Sequence, residues 1–153
     1  MSFAFFFPGQ GSQSLNMMAG FDGSAVVRQT FEQASAALGE DLWAMMNGED
    51  AALIGQTVNT QPLMLAAGVA TYRAYLEAGG KTPAAVAGHS LDEYSALVAA
   101  GSLDFADAVR LVRLRAMRHY RDYEYCKKFP HDVMHERYRS RYDKTVIHYY
   151  TGR

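Results

Sequence analysis

The stretch Val86-Ala-Gly-His-Ser-Leu-Asp-Glu-Tyr-Ser95 holds a serine two residues after a glycine. A short apolar run, Ala84 to Ala87, precedes it, and a helix-like segment, Leu91 to Ala100, follows and ends at Gly101. Strand, sharp turn and helix in that order are the setting of a nucleophile elbow, where a strained turn exposes the serine hydroxyl and the helix N-terminus faces the developing oxyanion. The pattern G-x-S-x-G keeps both flanks small because a side chain there strikes the neighbouring strand or helix. Gly88 meets the first requirement, whereas Asp92 stands at the second. Its carboxylate is expected to crowd the turn and to repel an anionic substrate. His89 is read as a structural hydrogen-bonding residue and not as the base, because adjacent side chains at such a turn point apart.

Two further positions carry polar chemistry. On a helix starting at Phe105, N-capped by Asp104, residues Phe105, Ala108, Val109, Val112 and Ala116 share one face, and Arg115 falls about 80° from the centre of that stripe. Arg110 and Arg113 lie on the other side. An arginine at the border of core and solvent can offer its planar fork to a carboxylate, or can simply cover apolar neighbours with its stem. Gln61 precedes Pro62, which is expected in the first turn of a helix running to Ala78 with Leu65, Val69, Tyr72 and Leu76 as its apolar stripe and Gly79-Gly80 as its stop. A polar residue before that proline is equally a plain helix start. Tyr72 and Tyr75 read as helix packing.

The elements that must position these residues form an alternating series. Phe3 to Phe7 suits a buried strand, and "PGQGSQS" after it is a glycine-rich turn whose N–H groups can point at a ligand. Residues 25–38 read as a helix stopped by Gly39, with a short helix around Trp43. Strands alternating with helices imply an α/β layer structure with a largely parallel sheet. A chain of 153 residues fits one domain. The lone Cys126 cannot form an internal disulfide, and the N-terminus lacks the pattern of a signal peptide, so a cytoplasmic location is expected, with no membrane segment.

Charge divides the chain. Residues 1–116 hold six Lys/Arg against eleven Asp/Glu, and residues 117–153 hold nine against five, together with seven of the ten tyrosines and four of the five histidines. After Met117 aliphatic residues are few and no period is sustained, so residues 118–153 are set apart as a basic, Tyr/His-rich tail without an assigned fold. Cys126, His131 and His135 give C-x4-H-x3-H, but no fourth ligand is evident and no metal site is assigned. The basic excess of the tail is too modest to imply a nucleic-acid partner.

Three ordered stretches, "FAFFFPGQGSQS" from Phe3, "TQPLMLA" from Thr60 and "GHSLDEYSALVAAGSLDFADAVRLVRLR" from Gly88, resemble the N-terminal part of the bacterial malonyl-CoA:acyl-carrier-protein transacylases, over roughly residues 3–117. The resemblance implies an α/β-hydrolase-like acyltransferase core, incomplete relative to the family. It implies Ser90 as the nucleophile that takes malonate from coenzyme A and yields it to the phosphopantetheine thiol of acyl carrier protein in fatty acid biosynthesis, with no resident cofactor. It further implies Gln10 and the Leu91 N–H as the oxyanion hole, Arg115 as the holder of the malonyl carboxylate, and Gln61 near the site. The family has glycine where this chain has Asp92. None of His119, His131, His135 and His148 stands in a matching motif, so no catalytic histidine is assigned. A serine thioesterase or other hydrolase, and a non-catalytic fragment that binds a carrier protein, are the alternatives.

Overall fold

The computed structural model describes the backbone of residues 2–128 and 148–150, and the side chains of residues 2–118. Strand β1 (Ala4–Phe6) pairs in parallel with β2 (Ala85–Gly88), with Ala4 opposite Ala85 and Phe6 opposite Ala87. A third strand, β3 (His148–Tyr150), lies antiparallel on the other side of β2. The parallel pair was expected. The antiparallel strand falls in the tail, where aliphatics are few and no alternation is sustained.

Helices make up the rest: α1 (Ala25–Leu38), α2 (Leu42–Met46), α3 (Ala51–Gly55), α4 (Thr57–Glu77), α5 (Asp92–Ala99) and α6 (Phe105–Lys128). Polar caps start three of the first four. Ser24, Asp41 and Asp50 accept from Val27 N, Ala44 N and Leu53 N at 3.5, 2.9 and 3.0 Å. Gly39 closes α1 at a φ of 70°.

The core lies where α4 passes between its neighbours. Every residue of α4 from Asn59 to Ala70 is buried, and Val27 and Phe31 of α1 pack into the same cluster as Leu63, Leu65, Val109 and Val112. Arg73 binds the three helices together: its Nη1 donates to Thr30 Oγ1 and Gln33 Oε1 on α1, and its guanidinium lies 4.8 Å from the Phe105 ring centroid. Phe5 and Phe7 on one face of β1 meet Tyr72 of α4 at centroid distances of 5.3 and 6.1 Å, so the tyrosines do serve as packing.

Three expectations are corrected. Strand β1 is not buried on both sides, because α4 covers only the Phe5 face and Phe6 is 65% exposed. Pro62 lies beyond the first turn, because α4 begins at Thr57. Its early start is secured by side chains: Asn59 Nδ2 donates to Leu53 O at 3.0 Å, and Thr60 Oγ1 donates to Ile54 O at 2.6 Å. Finally, α6 crosses Met117 and continues to Lys128. No glycine or proline interrupts residues 105–128, so nothing in that stretch breaks a helix once it is nucleated. His131 and His135 lie outside the described residues, as do the side chains of Cys126, His119 and His148, and with them the C-x4-H-x3-H spacing.

Candidate active site

Strand β2 delivers the chain to Gly88, and α5 starts four residues later. A Cβ on Gly88 would stand 2.1 Å from Asp92 O and 2.2 Å from Asp92 C, so the first turn of α5 crosses directly over this glycine. Only glycine permits that crossing. Ser90 between them adopts a φ of 58°, a left-handed backbone that costs a non-glycine residue about 1 kcal/mol or more. The turn is therefore tight and strained, as the sequence pattern requires of an elbow.

Glu93 helps to hold it. Its Oε1 accepts the Ser90 N–H at 3.2 Å, which is one half of a capping box and leaves the serine hydroxyl disengaged from the helix start. The signal was present as S-x-x-E over residues 90–93. The sequence reading gave Glu93 no role.

Arg115 reaches this serine from α6. Its Nη2 donates to Ser90 Oγ at 2.6 Å and its Nη1 to Gln61 Oε1 at 2.9 Å, and Gln61 is buried on α4. Three candidates from three separate helical neighbourhoods thus meet at one point. Arg113, on the other side of the stripe, pairs with Glu40 and donates to Asn59 Oδ1 at 3.4 Å, tying α6 to the α1 stop and the start of α4. Arg110 remains exposed, paired with Asp107.

Gln10 is exposed on the loop after β1, where Ser12 N donates to Gly9 O and Gly11 adopts a φ of 111°. This loop borders the elbow, since a Cβ on Gly9 would lie 3.4 Å from Asp92 Oδ2. Leu91 is buried, with helical backbone angles immediately after Ser90. His89 is exposed, and its carbonyl accepts the Asp92 N–H at 3.1 Å.

Asp92 is 1% exposed, and its Oδ2 has no hydrogen-bond partner among the described residues. Burial pushes its pKa up to about 7, against the opposing pull of the Arg115 guanidinium and of its own backbone N–H.

A profile of the acyl transferase domain matches residues 4–121. Over 114 residues the chain is 57% identical to the malonyl CoA-acyl carrier protein transacylase of Escherichia coli K12, an alignment covering 74% of this chain and 37% of that protein. The Bacillus subtilis 168 protein of the same name is 42% identical over 113 residues, 73% of this chain and 35% of its own. Among solved structures, the acyl-carrier-protein S-malonyltransferase of Burkholderia pseudomallei superposes with a TM-score of 0.75 at 55% identity, over 76% of this chain and 38% of that one. A malonyl-transacylase solved in complex with a type II polyketide acyl-carrier protein gives 0.73 at 52%, with coverage of 76% and 38%. The chain spans a little over a third of the length of these relatives. With most of its residues inside that match, and a serine at a glycine-bounded turn between strand and helix, the chain belongs to the acyl transferase domain family.

Proposed function

We propose that this chain carries part of the machinery of an acyltransferase that moves a malonyl group from coenzyme A to acyl carrier protein through an ester on Ser90. The observation that carries the reading is the contact of Arg115 Nη2 with Ser90 Oγ at 2.6 Å, braced by Gln61. A guanidinium beside a hydroxyl favours oxygen anions there, and its planar fork matches a carboxylate. In the first half-reaction Ser90 Oγ adds to the thioester carbonyl, the oxyanion is received by Gln10 and the Leu91 N–H, and coenzyme A leaves as the thiol. In the second, the phosphopantetheine thiol attacks the ester and Ser90 regains its proton. Arg115 holds the free malonyl carboxylate throughout.

The chemistry is assigned to residues 1–117, with none given to residues 118–153, and needs no resident cofactor or metal. The names of the relatives, which specify malonyl-CoA and acyl carrier protein, support the choice of donor and acceptor, and those substrates suit a cytoplasmic enzyme of fatty acid biosynthesis. Arg115→Ala tests the reading. Loading of Ser90 from malonyl-CoA should fall at least tenfold further than loading from acetyl-CoA, because only malonate offers a second carboxylate. Equal losses for both thioesters would remove Arg115 from that role.

A further inference from the structure

We infer that Asp92 determines acyl-group specificity in this chain: its buried carboxylate competes with a substrate carboxylate for the Arg115 guanidinium, and so biases the site towards uncharged acyl groups. The inference rests on the acyltransferase reading of Ser90 and Arg115. Its basis is the balance of charge around the serine. Arg115 supplies the positive charge, fixed by its bonds to Ser90 Oγ and Gln61 Oε1. Asp92 lies two residues from Ser90 in the first turn of α5, is 1% exposed, and has an Oδ2 without a hydrogen-bond partner among the described residues.

Burial shields that carboxylate from solvent, its own backbone N–H satisfies it only in part, and the Arg115 guanidinium is the cation whose charge acts on it. Glu93, whose Oε1 accepts the Ser90 N–H, adds further acidic character at the same turn. A malonyl group would bring one more carboxylate beside a cation whose charge already acts on Asp92. An acetyl group brings none and escapes the penalty. The Gly9 loop closes over Asp92, since a Cβ at Gly9 would stand 3.4 Å from Oδ2.

The test compares equilibrium binding of malonyl-CoA and acetyl-CoA at pH 8 to the full chain, to Asp92→Asn and to Asp92→Gly, with circular dichroism as the check of fold. Asp92→Asn keeps the bulk and removes the charge. It should tighten malonyl-CoA about tenfold relative to acetyl-CoA, and Asp92→Gly should shift the ratio at least as far. Equal tightening of both thioesters overturns the inference, because crowding rather than charge would then be the defect, and an unchanged ratio in the folded variants overturns it as well. Binding of neither thioester to any folded form would instead sink the acyltransferase reading, and the inference with it.

Discussion

At the scale of single residues, the site turns on two positions that flank Ser90. Gly88 has no alternative: a methyl group there would overlap the backbone of Asp92 at 2.1 Å. Gly88→Ala should destabilise the chain by about 3 kcal/mol or prevent folding, as measured by urea unfolding. Asp92 behaves oppositely, because its pKa is raised from 3.8 to about 7. The folded state therefore binds a proton that the unfolded state has released. Asp92 carries no charge penalty below pH 4, and stability is lost as pH rises through 7. Asp92→Asn should accordingly stabilise the protein by about 2 to 4 kcal/mol at pH 8, with the gain shrinking as pH falls towards 4. A gain independent of pH in denaturant melts would contradict this. The sequence disclosed Gly88 and Ser90 because their pattern encodes a steric requirement. It disclosed Asp92 only as a misfit, since its burial beside residues such as Gly9 depends on contacts distant in sequence.

Elements differ in legibility for physical reasons. The long stripe of α4 and the apolar face of α6 announce themselves because burial on one side imposes a period. Helix α3 went unread, since its five residues are too few to show any period and Asp50 alone marks its start. The extension of α6 past Met117 carries no sequence signal because apolar spacing ends there, although no glycine or proline stops the helix before Lys128. Interior positions follow the usual energetics. Phe31 is fully buried and meets Trp43 edge-on at 5.1 Å, so Phe31→Ala should cost about 3 to 5 kcal/mol. Ser95 on α5 is buried with an Oγ that has no partner among the described residues, pressed against Gly68 of α4. Ser95→Ala should be neutral or stabilising by up to about 1 kcal/mol, and a loss of 2 kcal/mol or more in the same unfolding assay would reveal a hydrogen bond now unaccounted for.

For the whole molecule, the chain brings together Ser90, Arg115 and Gln61 in a little over a third of the length of its relatives. No helix among the described residues is long and apolar enough to cross a membrane. Ser90 and the Arg115 guanidinium are in contact, but the hydrogen bond at Ser90 Oγ comes from arginine, which cannot accept the serine proton. His89, the sole histidine whose side chain is described, is exposed. Among the described residues no base accepts from Ser90 Oγ; general-base help is worth about 10²- to 10⁴-fold, and steady-state transfer to carrier protein by this chain should fall below about 1 per second, the lower end of the usual enzymatic range. The most direct measurement is therefore peptide-mapped mass spectrometry after incubation with malonyl-CoA, on this chain and on Ser90→Ala. A malonyl ester on the peptide containing Ser90, absent from Ser90→Ala, is the predicted result. A chain that stays unmodified, or an adduct that persists in Ser90→Ala, would contradict the assignment of Ser90 as the acyl acceptor.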